Sequence, residues 1–123
     1  MDAEQALITF LKRAIVNNRR DRYIGLITTQ NGRSRFFDYF WHNLESEFIP
    51  SVNQVDAFPE DIWRKEAYLF EAASETFGRR CQDMRTAHDL ADDGGGWIIV
   101  STDARHAVFM PEDMVDDTIC LVL

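Results

Sequence analysis

The chain has little of what usually staples or punctuates a small protein: two cysteines, three prolines and six glycines in 123 residues. Two thiols, Cys81 and Cys120, cannot build the framework of a disulfide-rich secreted scaffold, and they read as reduced cysteines of a cytoplasmic protein. No apolar run approaches the roughly 18 residues that a membrane span needs. The short patch Leu7–Leu11 has its basic residues after it rather than before, so no secretory leader and no membrane partner are expected. Histidine is scarce too. His42, His88 and His106 fall in none of the H-x3-H, H-E-x-x-H or C-x-x-C spacings, so neither a metal nor a cofactor is expected. The nucleophile motif G-x-S-x-G and the calcium-loop spacing are likewise missing.

What is present is acid, aromatic carbon and a marked asymmetry of charge. The net charge is −8. Residues 1–35 carry seven basic and three acidic side chains, a net of +4, whereas residues 36–123 carry six basic and eighteen acidic ones, a net of −12. A surface this acidic disfavours nucleic acid over most of its area and suits either a basic partner or solubility alone. With 46% hydrophobic residues the chain can fill a core, and its length suits one domain over residues 1–123.

Periodicity then places the elements. Residues 2–18 predict an amphipathic helix capped by Asp2, with Lys12 and Arg13 where they complement its dipole. Residues 22–28 suit a short strand, with a frayed helix as the alternative, and Asn31-Gly32 is a turn signal. Phe36, Phe37, Phe40, Trp41, Leu44 and Phe48 form one stripe of a helix over 34–48. After a linker at 50–58, Pro59 opens a helix expected to run to about residue 77, supported by the pairs Glu60–Arg64 and Asp61–Lys65. A weaker helix is expected over 79–91. The period then changes: residues 96–102, 106–110 and 118–123 are short, nearly continuous apolar runs that read as strands of an antiparallel meander, with helices over at least one face. The expected class is therefore α+β, three to four helices packed on a three-stranded sheet. Cys120-Leu121-Val122-Leu123 fits the four-residue prenylation pattern, but it lies in this last strand-like run, and the strand reading is preferred.

Three functional classes remain. In the first, the acidic residues Asp89, Asp92, Asp93, Asp103, Glu112, Asp113, Asp116 and Asp117 bind a basic protein, as an immunity- or antitoxin-type inhibitor would. One or two of Tyr39, Trp63, Tyr68 and Trp97 are then expected at the interface. In the second, His88 or His106 works with Asp92 or Asp93 in a small enzyme or ligand-binding site beside Gly94–Gly96. Those glycines follow a helix and precede a strand, the reverse of a phosphate loop, and two aspartates adjoin them. In the third, the cluster Lys12, Arg13, Arg19, Arg20, Arg22, Arg33 and Arg35 contacts nucleic acid, although no recognised binding motif accompanies it.

Overall fold

The computed structural model describes residues 1–44, 59–71, 77–91, 96–110 and 119–122. Helix α1 (Ala3–Ala14) opens on a reciprocal capping box: the Asp2 carboxylate accepts from Gln5 N–H at 2.9 Å and the Gln5 side chain accepts from Asp2 N–H at 3.0 Å. Its inner stripe, Ala6, Leu7, Phe10, Leu11 and Ala14, is completely buried.

A short 3-10 turn leads into α2 (Arg20–Leu26), which corrects the expected strand over 22–28. Tyr23 and Ile27, four residues apart and both buried, put one apolar stripe against the core. That helical spacing overrides the β preference of the individual residues. The Asn31-Gly32 pair is also not a turn. It lies in the first turn of α3 (Gln30–Tyr39), where the Thr29 hydroxyl caps Gly32 N–H at 3.0 Å. Glycine is needed there because a side chain would collide with the Leu26 carbonyl of the preceding helix. The Phe36–Phe40 stripe begins four residues further into the helix than the expected start at Ser34 allowed for, and a 3-10 turn (Phe40–Asn43) extends it.

The expected helix over 59–77 is the second correction. Among the described residues of this stretch, α4 (Glu60–Trp63) is helical and Ala67–Glu71 is strand β1, while residues 72–76 lie outside the described residues. A short apolar run such as AYLF satisfies both periods. Burial on both faces decides for strand. The segment 79–91 divides in the same way into β2 (Arg79–Cys81) and α5 (Met84–Leu90), the latter capped by Asp83 on Thr86 N–H at 2.6 Å. The meander follows as expected: β3 (Trp97–Ser101), β4 (His106–Met110) and β5 (Ile119–Val122). The whole sheet is antiparallel in the order β2-β1-β3-β4-β5. Cys81 and Cys120 thus lie on opposite edge strands, four strand spacings or roughly 19 Å apart, which excludes a bridge between them.

Both faces of the sheet are covered, which is why its strands are almost continuously apolar. Tyr68, Phe70, Ile98, Val100, Ala107 and Phe109 pack under α1, α2 and α3. Ala67, Leu69, Trp97, Ile99, Val108 and Met110 pack under α4 and α5.

Candidate functional site

Three places carry polar chemistry, and the strand register determines where they sit. The first is the turn between β3 and β4. The Ser101 hydroxyl donates to Asp103 Oδ1 at 2.5 Å, Arg105 N–H donates to the same oxygen at 3.0 Å, and Lys65 Nζ reaches Oδ2 at 2.8 Å. His106 N–H donates to Ser101 Oγ at 3.1 Å. Burial by itself would raise the Asp103 carboxyl. The bonds from Lys65, Ser101 and Arg105, with the charge of Lys65, outweigh it and hold the group far below the usual carboxylate range. Ala104 completes the turn at φ 60, a left-handed conformation unusual for a residue with a Cβ. Asp103, expected on a partner-binding surface, is engaged within its own turn. Lys65, expected to pair with Asp61, reaches across to it instead.

His106 stands at the edge of this turn. Its Nδ1 is buried and has no hydrogen-bond partner among the described residues. Burial, then the cations of Lys65 and Arg105, push its pKa down, while Asp103 and Asp61 pull the other way. The imidazole is therefore neutral at pH 7.

The second place is the layer formed by α4, α5 and the start of β3. The His88 ring lies edge-on between two indoles, 5.7 Å from Trp63 and 5.5 Å from Trp97, centroid to centroid. Arg85 pairs with Glu60 at 2.8 Å and covers the Trp63 ring from 5.2 Å. The indoles are 1% and 2% exposed and Tyr68, whose hydroxyl donates to Met1 O at 2.7 Å, is also buried. These three aromatics are core residues, which corrects their expected place at an interface. Tyr39 lies outside the residues whose side chains are described. Beyond His88 the helix leaves the core: Asp89 is 74% exposed and Leu90 45% exposed.

His88 and His106 do not form one site. His88 packs on Trp97, the first residue of β3, and His106 binds through its backbone to Ser101, the last. Four residues of strand separate those anchors by roughly 13 Å. Asp92, Asp93, Glu112, Asp113, Asp116 and Asp117, together with the His42 side chain, lie outside the described residues. Cys81 is a buried thiol whose pKa burial raises, the opposite of what an activated nucleophile requires. Among the described residues no group of three or more His, Cys, Asp or Glu side chains gathers to hold a metal, and no helix is long and apolar enough to cross a membrane.

The third place is the basic N-terminal third, whose arginines divide into two sets. Arg20 donates to the Ile15 carbonyl at 2.8 Å, and Arg33 donates to the Ile27 carbonyl at 3.0 Å while lying 4.2 Å over Phe77. Both fasten helix ends. Arg19, Arg22 and Arg35 are exposed and make no ion pair among the described residues.

Compared with known family models, curated proteins and solved structures, the chain matches none.

The exposed leucine was not singled out by sequence reasoning. The available signal was its position off the Cys81, Met84, His88, Ala91 stripe, with Asp89 before it and Asp92 two residues after.

Proposed function

We propose that this chain is a small acidic cytoplasmic binding protein that docks on a basic partner protein through the end of α5 and the acidic residues Asp92 and Asp93 that follow it. An inhibitor of the immunity or antitoxin kind, laid over a basic cleft, is the concrete form of the proposal. The observation that carries it is Leu90. Apart from Met1 it is the large hydrophobic side chain left exposed among the described residues, and it sits beside an exposed carboxylate. A single exposed leucine is ordinary on a protein surface, and here it is the charge beside it, an apolar centre with a charged rim, that supports a contact with a partner.

The position of Asp89 strengthens this reading. It occupies the last turn of α5, where a negative charge opposes the helix dipole. A residue that costs the fold a little stability is expected where a surface serves a partner. The net −12 of residues 36–123 would speed the approach of a basic protein, a steering that salt removes.

The test is co-purification from the native host with the intact chain, followed by measurement of affinity for the identified partner. The expected partner is a basic protein. Leu90→Ala and Asp89→Lys should each weaken it by about tenfold or more, and added salt should slow association. A partner that is not basic, or variants that bind as well as the parent, would sink the proposal.

A further inference from the structure

Arg19, Arg22 and Arg35, which make no ion pair among the described residues, lie along two adjoining clefts. A cleft of about 370 Å³ is lined by Arg22, Tyr23, Leu26 and Arg35. A second of about 220 Å³, lined by Arg19, Arg22, Tyr23 and Asn43, shares Arg22 and Tyr23 with it. From this geometry we infer that the cleft over α2 and α3 binds a small phosphate-bearing ligand, with Arg22 and Arg35 receiving the phosphate and Arg19 its second charge.

Three observations lead there. Acidic side chains outnumber basic ones by 21 to 13 in this chain, so a free arginine is easily given a carboxylate partner. Arg22 and Arg35 line one concavity, Arg19 and Arg22 the one that adjoins it, and none of the three makes an ion pair among the described residues, an arrangement that repels itself until an anion enters. Their neighbours Arg20 and Arg33 are held on backbone carbonyls, so the difference is one of position along the helices and not of residue type.

The floor of the cleft is also rigid. Tyr23 is 3% exposed, its hydroxyl accepts from Asn43 Nδ2 at 2.6 Å, and its ring meets the edge of Phe36 at 6.3 Å. A fixed aromatic floor with guanidinium forks on its rim suits the planar, bidentate recognition of phosphate oxygens. The larger volume lies in the range of small-molecule sites and would admit a phosphate with a modest organic group against Leu26. Tyr23 presents no free face on which bases could stack, which favours a small ester over a nucleic-acid strand.

The inference is tested by calorimetric titration of the full chain at low ionic strength with inorganic phosphate, pyrophosphate and adenosine 5′-monophosphate. Pyrophosphate should bind more tightly than phosphate. The double variant Arg22→Gln, Arg35→Gln should weaken binding by about tenfold or more. Arg35→Lys, which keeps the charge but loses the fork, should fall between. Both positions are exposed, so the variants should fold, and circular dichroism checks that they do. Arg13→Gln, on α1 outside the cleft, should bind like the parent, and so should Asp89→Lys, which separates this site from the docking surface on α5. No heat with any of the three ligands, equal binding by parent and double variant, or binding confined to oligonucleotides would overturn the inference.

Discussion

The two faces of the sheet are covered in different ways. On one, α1, α2 and α3 lay a hydrocarbon core over the strands, tied to them by Phe40, which stacks on Phe36 at 4.6 Å and meets the edge of Phe109 at 4.8 Å. On the other, two short helices, α4 and α5, carry a core that includes two indoles, a thiol and two methionines, with His88 between the indoles. The first face contributes the bulk of the burial. The second places titratable and charged groups at its margin and ends in an exposed leucine. Under the proposed docking, the partner would meet the second layer, while the first holds most of the buried carbon. The 12 residues of α1 and the 10 of α3 bury a long stripe, whereas the 4 of α4 and the 7 of α5 leave their ends to water.

This division makes the largest expected effect a core deletion under the long helices. Phe40→Ala should cost about 3–5 kcal/mol, because the ring is fully buried between two aromatic partners that cannot close the gap. Urea unfolding monitored by fluorescence measures it. The matching deletion on the other face, Met84→Ala, should cost less, about 2–3 kcal/mol, since a seven-residue helix can settle into the space. If Met84→Ala proves the costlier, the two layers are not unequal in the way argued. Hydrogen exchange sharpens the same point: amides of α5 should open before those of α1.

How much of this was legible beforehand follows from the same asymmetry. The first helix with its cap at Asp2 and the Phe36–Phe40 stripe were readable from one consistent period, and the meander from short β-branched and apolar runs bounded by polar turns. The far face was not. Residues 67–71 lie between two covered surfaces, so every position is apolar or nearly so and no alternation remains to mark a strand. Residues 22–28 failed for the opposite reason: β-branched and aromatic residues suggested a strand, while the Tyr23–Ile27 spacing that decided for helix was a single pair. Gly32 was misread as a turn because its purpose, the close approach of α2 to α3, is tertiary. The candidate acids fared similarly. Nothing local distinguishes Asp103, fastened by Lys65 from 38 residues away, from Asp89, which faces water.

That contrast between two aspartates gives the next effects. Asp103 is held ionised by its donors, so its folded pKa lies below its unfolded one near 3.9. Such a group contributes stability that is fully present above the unfolded value and is lost as pH falls through the folded one. Asp103→Asn should therefore cost about 1 kcal/mol at pH 7, reduced from the full linkage value because the side chain is 45% exposed. The gap to the parent should stay level down to about pH 4 and narrow below it. A gap independent of pH would mean the turn depends on shape and not on charge.

His106 has the same sign at a higher pH. Its folded pKa is lowered, so the unfolded chain takes up a proton first and stability declines as pH drops below the ordinary histidine value near 6.5. The parent should lose stability between pH 7 and pH 5, and His106→Gln should flatten that slope. The effect should be smaller than that of Asp103, because burial and two cations shift the imidazole against the pull of two carboxylates, whereas three donors and the Lys65 charge act together on the Asp103 carboxylate.

The smallest effect on the fold is the most telling about function. At the last turn of α5 the Asp89 carboxylate faces the negative end of the helix dipole, and its nearest cationic candidate, His88 Nδ1, is 3.9 Å away, too far for a hydrogen bond. Asp89→Lys should therefore raise the thermal midpoint by about 1–2 °C. The same substitution should weaken binding of the basic partner by about tenfold or more. A variant that gains stability while losing its partner cannot have lost it through unfolding. The opposite charge change thus separates recognition from folding at a single position. If Asp89→Lys lowers the midpoint instead, the carboxylate is a structural part of the second face, and the division of labour between the two layers fails at that point.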